Sequence, residues 1–90
     1  MPKPPLPALL RKATFSRDEW QCRHCCCRTT LTPHHVIFRS QGGEHALNNL
    51  LTLCMRCHDA VHDRHLLIEV VEVRETDLIV RFWKQKGWKP

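Results

Sequence analysis

The spacing of hydrophobic and polar residues predicts two short strands followed by a helix. Residues Leu31 to Phe38 have the character of a strand, and Gln41 to Glu44 has the composition of a turn. Leu50 to Leu53 is apolar enough for a second, very short strand. From Met55 to about His65 the pattern favours a helix, with Ala60 and Val61 on its buried side.

Two further β-rich runs follow this helix. The segment `LLIEVVEVRETDLIVRFW` is interrupted only by the polar residues Arg74 to Asp77, which predicts a hairpin. At the other end, four prolines within the first seven residues disfavour a helix, so residues 1–14 are expected to be a flexible basic arm. Ser16 and Glu19 have capping-box spacing, which predicts a short helix beginning at Ser16.

These elements divide the chain into three parts. We expect the arm over residues 1–14, a central unit over 15–65, and a C-terminal hairpin with a basic tail over 66–90 that packs on the same domain. The expected fold class is a small α+β domain. Ninety residues bury only a modest core, so a domain of this size needs a further source of stability.

Six cysteines offer that stability, as disulfides or as metal ligands. The N-terminal region has no apolar run of the length a signal peptide needs, and no stretch is long enough to span a membrane, so a cytoplasmic location is expected. Disulfides are disfavoured in that compartment. Metal binding is therefore the better interpretation of the cysteines.

The cysteines are spaced as two Cys-x-x-Cys knuckles. Cys22 and Cys25 form the first, and Cys54 and Cys57 form the second. Four thiolates at about 2.3 Å close the tetrahedral shell of Zn²⁺, which makes the predicted ion structural. Cys26 and Cys27 follow Cys25 directly, and either one is an alternative to it as a ligand.

The histidines form a second set. His58 and His62 are four residues apart and so share one face of the predicted helix, directly after Cys57. His34 and His35 come from the predicted strand, and histidines from a strand and a facing helix can hold a divalent ion that keeps open positions. We interpret the three other histidines as solvated surface residues: His24, His45 and His65.

These motifs together resemble the HNH endonucleases. The shared features are `CRHC`, `HHV`, `GG`, `NLLTLC`, `CH` and a histidine four residues further on, and they extend from Trp20 to His62. The resemblance is to the subgroup whose ββα-metal core, also called the His-Me finger, is braced by a four-cysteine zinc site. It implies a zinc-stabilised ββα-metal domain, here with an additional C-terminal β-hairpin.

The resemblance also implies roles for single residues. His34 would bind the catalytic metal, His35 would be the general base, His58 would be a catalytic residue and metal ligand, and His62 an additional ligand. Asn49 takes the place of the family's central asparagine, which pins the loop between strand and helix, and its neighbour Asn48 is the alternative. Many members have an aspartate where His34 stands, so Mn²⁺, Ni²⁺ or Zn²⁺ would compete with Mg²⁺ more strongly.

The implied activity is hydrolysis of DNA phosphodiester bonds, by nicking or by cutting both strands of a duplex. A net charge of +5 favours a polyanionic partner but decides little, because four zinc-bound thiolates would lower it to about +3. Arg39 is a candidate phosphate contact, against the alternative of a solvated arginine. The main alternative is a zinc-bound DNA-binding module without catalysis. Similar small proteins are encoded by phages or prophages in bacterial host cells, where a homodimer or a packaging partner would be expected.

Overall fold

The computed structural model describes residues 5–87, except for the side chain of Arg39. Its elements, in chain order, are α1 (Ala8–Arg17), β1 (Leu31–His35), β2 (Leu50–Cys54), α2 (Met55–His62), β3 (Leu66–Val73) and β4 (Leu78–Lys84), with 3₁₀ turns at Arg39–Gln41 and Leu47–Asn49. The predicted α+β class with a C-terminal hairpin is confirmed. No helix within residues 5–87 has the length and apolar character needed to cross a membrane.

Strand β2 lies at the centre of the domain. All five of its residues are buried, and it pairs with β1 in antiparallel register, so that His34 lies opposite Leu51 and His35 opposite Leu50. Both helices contact it. A strand buried on both faces is expected to be almost continuously apolar, which is why `LLTLC` contains only one polar side chain.

The hairpin of β3 and β4 completes the small core. The two strands pair antiparallel, with a bulge between Val70 and Glu72. Leu66, the first residue of β3, is fully buried against the cysteines and Leu53, and the edge of this cluster is covered by Ile68 and Phe82. The hairpin therefore packs on the same core as α2 and β2.

Two predicted boundaries differ from those in the structure. Strand β1 ends at His35 rather than Phe38, because the chain leaves the ladder after the backbone N–H of Val36 donates to Asn49 O. Helix α2 ends at His62 rather than near His65, since Arg64 has a φ of 62° and reverses the chain towards β3.

The N-terminal helix contradicts the expected start at Ser16. Helix α1 begins after Pro7, whose carbonyl accepts the first helical hydrogen bonds, and Ser16 lies in its last turn. Glu19, the expected partner of Ser16, has a φ of 59° beyond the helix end. Residues 8–14 belong to this helix rather than to the flexible arm that the prolines predicted, while residues 1–4 lie outside the described part of the chain.

A buried ion network holds α1 against the strands. The side chain of Asp18 is only 2% exposed and accepts hydrogen bonds from Arg17, from Arg23 and from the backbone N–H of Thr52. Burial acts to raise the pKa of Asp18, but the hydrogen bonds from Arg17 and Thr52 and the charges of both arginines outweigh it and lower the pKa below its ordinary value.

The two arginines connect separate parts of the fold. The Arg17 guanidinium donates to the carbonyls of Leu47 and Leu50, each at 2.6 Å, and so ties α1 to the start of β2. The Arg23 guanidinium donates to Leu78 O at 2.9 Å and to Asp77, which links the first cysteine knuckle to the hairpin. Asp18 and Asp77 are anions that both cations share, and Asp18 is the more buried of the two.

Replacing Asp18 by asparagine is therefore expected to destabilise the fold. The change removes the charge of the most buried carboxylate from two half-buried arginines and leaves them the more exposed Asp77, so we expect the free energy of unfolding at pH 7 to fall by about 3 kcal/mol in urea denaturation. The loss should be present at neutral pH, since a lowered pKa keeps the wild-type carboxylate ionised until the pH falls below 3.8. The matched control is Asp63→Asn at an exposed position, expected to change stability by less than about 0.5 kcal/mol; equal effects of the two variants would contradict the prediction.

Candidate functional site

Four cysteines from the two knuckles meet in one cluster. The Sγ atoms of Cys22, Cys25, Cys54 and Cys57 lie within 4.8 Å of one another, and Cys25 Sγ is 3.6 Å from Cys54 Sγ. Sulfurs at about 2.3 Å from a tetrahedral Zn²⁺ are roughly 3.8 Å apart, so the cluster has the dimensions of such a site. It is compatible with a structural zinc ion.

The chemistry of the donors also fits a cation. Burial raises the pKa of the Cys57 thiol, and the negative charge of Cys22 raises it further. Four ionised thiols this close would repel one another unless a positive ion lay between them. The backbone N–H of His24 points at Cys22 Sγ from 3.4 Å, the kind of contact that stabilises a thiolate.

Cys25 is the member of the triple cysteine run that joins this cluster. Cys26 is exposed, with a φ of 66°, and Cys27 Sγ lies 3.3 Å from Thr29 Oγ1. The spacing of the knuckles favoured Cys25, with Cys26 and Cys27 as alternatives. The fold brings Cys25 to the other thiols because the chain turns back between Cys22 and Cys26 through a hydrogen bond of 2.9 Å.

His24 differs from its interpretation as a solvated residue. Its Nδ1 is 3.4 Å from Cys57 Sγ, and its ring contacts Phe82 edge-on at 4.9 Å between centroids. The side chain lies half-buried between the cysteine cluster and the hairpin. An imidazole N–H at this position would donate to a ligand thiolate, which the spacing of the knuckle did not indicate.

Three histidines form the second cluster. His34 comes from the end of β1, and His58 and His62 are one turn apart on α2; one ring nitrogen of each lies within 4.8 Å of the others. The Nε2 atoms of His58 and His62 are 3.0 Å apart. Two nitrogens at about 2.1 Å from one ion and at right angles to each other have that separation, so the geometry fits a divalent metal.

Thr32 determines which nitrogen of His58 faces the cluster. Its hydroxyl donates to Leu53 O at 2.8 Å, so the contact of 2.8 Å with His58 Nδ1 requires that nitrogen to be the donor. A neutral imidazole protonated at Nδ1 has its lone pair on Nε2, which points towards His62. Thr32 therefore orients His58 with the Nε2 lone pair towards the cluster, a contact that the sequence did not indicate.

His34 is suited to metal binding by its protonation state. Its side chain is almost fully buried, and burial together with the charges of His58, His62 and His35 lowers its pKa to about 3. The imidazole is consequently neutral at physiological pH. A neutral imidazole offers a lone pair to a cation without first losing a proton.

The histidine cluster opens into a cavity of about 380 Å³. The cavity is lined by Pro33, His34, His35, Phe38, Ser40, His58 and His62. His34 and His35 reach the same cavity because β1 ends at His35, where strict alternation of side chains no longer applies. Phe38 stacks on His62 with an interplanar angle of 7°. All three clustered histidines line this cavity, whereas three of the four clustered cysteines are buried in the core.

His35 is in contact with a histidine that sequence reasoning set aside. Its Nε2 is 2.9 Å from His45 Nδ1, and the two ring centroids are 5.1 Å apart. His45 was interpreted as a solvated residue. The pairing depends on a loop that turns back between β1 and β2, and no local spacing in the sequence indicates it.

Asn49 holds that loop together. Its side-chain carbonyl accepts from the backbone N–H of Ile37 at 2.8 Å, and its amide donates to Ile37 O and Glu44 O at 3.1 and 3.0 Å. The residue is buried, whereas Asn48, its alternative, is half-buried. Arg39 lies in the same loop, but its side chain is outside the described part of the structure.

Comparison with known proteins gives two matches. The model of the family "HNH endonuclease" matches residues 22–64, a range that contains both clusters. A protein from Nostoc sp. (strain PCC 7120 / SAG 25.82 / UTEX 2576) named Anaredoxin is 31% identical over 61 residues, which are 67% of this chain and 80% of that protein. No solved structure matches the chain significantly.

The cysteine cluster generates a prediction about metal content. We expect the wild-type protein to retain about one zinc ion per chain after dialysis against a weak chelator, and Cys57→Ser to lose that ion and its folded circular dichroism spectrum. Cys26→Ser is the matched control and should keep both, because its side chain is outside the cluster. Retention of zinc by Cys57→Ser, measured by elemental analysis, would contradict the assignment.

The contact between Thr32 and His58 generates a second prediction. Thr32→Val keeps the size and strand propensity of the side chain but removes the acceptor that orients His58. We expect Mn²⁺ or Ni²⁺ to bind the histidine cluster about 10- to 100-fold more weakly in calorimetric titration. Zinc bound at the cysteines serves as an internal control and should not change; an unaltered titration would show that Thr32 does not prepare the ligand.

Proposed function

The chain belongs to the HNH endonuclease family, and we propose that it is a metal-dependent endonuclease that hydrolyses DNA phosphodiester bonds. The observation that carries this proposal is the shared cavity: His35 faces the same space as the three clustered histidines. A general base and a metal site on one cavity are the two parts that hydrolysis of a phosphodiester needs.

In this proposal the three clustered histidines hold the catalytic ion. His34, His58 and His62 supply one nitrogen each, and the cavity leaves space for a phosphate and water. A divalent ion bound there supplies Lewis-acid stabilisation of the negative charge that develops on the phosphate. Three imidazoles form a softer donor set than one containing a carboxylate, so Mn²⁺, Ni²⁺ or Zn²⁺ should support activity at least as well as Mg²⁺.

His35 acts as the general base. It takes a proton from the attacking water, whose oxygen forms the new bond to phosphorus. The bond from phosphorus to the 3′ oxygen breaks, its electron pair goes to the leaving oxygen, and that oxygen takes a proton from solvent. Asn49 contributes by holding the loop that follows β1 in its folded conformation.

Double-stranded DNA is the proposed substrate. The net charge of +5 favours a polyanion, and Arg39 follows β1 at the edge of the loop that adjoins the cavity. An arginine there is suited to a phosphate contact that positions the backbone without reading the sequence. Whether one strand or both are cut depends on how the duplex is presented to the cavity.

A DNA-binding module without catalysis is the first alternative. It would need only the cysteine cluster and a basic surface, with the histidines in structural roles. The second alternative is a redox function. The relative's name, Anaredoxin, suggests such a function. Cys27 is a candidate reactive thiol, because hydrogen bonding to Thr29 lowers its pKa. Titration of reactive thiols in the native, zinc-loaded protein separates this alternative from the others.

The proposal predicts that wild-type protein nicks or cuts supercoiled plasmid with Mn²⁺ or Mg²⁺. His35→Ala removes the base, so the cleavage rate should fall about 10²- to 10⁴-fold, whereas folding and the metal content at both clusters should not change. His65→Ala, at an exposed position at the start of the hairpin, is the matched control and should cleave like the wild type.

Two results would separate the alternatives from the proposal. Intact plasmid with the wild-type protein across Mg²⁺, Mn²⁺, Ni²⁺ and Zn²⁺, together with retained DNA binding, would favour the non-catalytic module. Equal cleavage by the wild type and His35→Ala would keep the nuclease but remove His35 as its base. Metal analysis of each sample shows whether a change in rate reflects loss of metal.

A further inference from the structure

We propose that His45 is a positioning residue for the general base and that it assigns the reacting nitrogen of His35. This inference rests on the proposed nuclease function. It starts from the contact of 2.9 Å between His35 Nε2 and His45 Nδ1, two nitrogens from segments ten residues apart. Neither the family match nor the spacing of the motifs assigns a role to His45.

The contact with His45 bears on the tautomer that His35 needs as a general base. A neutral imidazole has one protonated nitrogen and one lone pair. If His35 is to accept a proton from water, the nitrogen that faces the water must hold the lone pair, and the other must hold the proton. In the proposed arrangement His35 Nε2 carries the proton and donates it to His45 Nδ1 across this contact, and His35 Nδ1 accepts the proton of the water.

His45 also favours the product of the proton transfer. When the O–H bond of the water breaks and its proton forms a bond to His35 Nδ1, the ring becomes an imidazolium. The hydrogen bond from Nε2–H to His45 then has a charged donor, and such bonds are shorter and stronger than neutral ones. The stabilisation therefore grows as the reaction proceeds, which is the condition for lowering the barrier.

Hydrogen bonds within the loop between β1 and β2 hold His45 next to His35. Asn49 Nδ2 donates to Glu44 O, the carbonyl of the residue directly before His45, and to Ile37 O two residues after His35. The backbone N–H of Gly43 donates to Phe38 O at 3.0 Å, which closes the loop from inside. Asn49 thus holds both ends of the segment that connects the two histidines.

Gly43 shows how closely this loop is packed. A Cβ atom at that position would lie 1.7 Å from Ile37 O, so no other residue fits without moving the backbone. His45 is half-buried in the same loop, and its ring lies at 49° to that of His35. The pair consequently occupies a defined arrangement within a tightly closed loop.

The test compares three substitutions at one position. His45→Ala removes the acceptor; His45→Asn places an amide oxygen close to the former Nδ1; His45→Gln carries the same amide one methylene further and misplaces it. Cleavage of a short duplex is measured with Mn²⁺ under steady-state conditions. We expect Ala and Gln to lower kcat about 10- to 100-fold with KM unchanged, and Asn to recover most of the lost kcat.

Each outcome decides the inference. Loss in Ala and Gln with recovery in Asn supports it, provided that zinc content, circular dichroism and Mn²⁺ affinity match the wild type. Equal kcat in Asn and Gln, or an unchanged kcat in Ala, overturns the positioning role while wild-type cleavage leaves the proposed function standing. A wild type that cleaves with no divalent metal overturns the proposed function, and the role of His45 with it.

A second measurement tests the inference even if His45→Ala does not fold. The ¹⁵N chemical shifts of the His35 ring report its tautomer in the wild type and in His45→Asn, which keeps an acceptor. Protonation of Nε2 in both supports the assignment of Nδ1 as the base. Protonation of His35 at Nδ1 in the wild type overturns it, because the lone pair would then face His45.

Discussion

The rest of the structure depends on the junction where strand β2 becomes helix α2. Cys54 ends the strand and Cys57 lies in the first turn of the helix, so the cysteine cluster fixes the angle between the two elements. A domain of 90 residues has too small a core to hold that angle by apolar packing alone. His58 follows Cys57 directly, and its position is therefore set by the cysteines.

The two clusters differ in how deeply their side chains are packed into the core. Cys22, Cys54 and Cys57 are packed into the apolar core with Leu53 and Leu66, while Cys25 closes the cluster from the exposed side. The histidines come from the end of β1 and from α2 beyond Cys57, at a cavity that leaves room for further ligands. Because one helix carries residues of both, any distortion of the first cluster would be transmitted to the second. The hydrogen bond from His58 on α2 to Thr32 on β1 then fixes the imidazole against the strand.

The sequence predicted the parts of the fold that are encoded locally. Knuckle spacing identified the cysteine pairs, alternation and apolar runs located the strands, and the four-residue interval of His58 and His62 placed them on one helix face. The first helix was placed at Ser16 rather than at Ala8, since prolines near the N-terminus disfavour helix locally. Phe15 and Thr14 are buried in the structure, and Arg17 ties the helix to β2, so tertiary contacts outweigh the local signal.

What the sequence by itself determined is the set of residues that short-range geometry brings together: two knuckles, a helical pair of histidines and the strand-end pair His34 and His35. Only the tertiary structure decided the partners of those residues. Thr32 meets His58 across 26 positions, His24 meets Cys57 across 33, and His45 meets His35 through a loop closed by Asn49. The physical reason is that a single hydrogen bond has no periodicity along the chain, so its partner is chosen by how the packed elements bring two polar atoms within about 3 Å of each other.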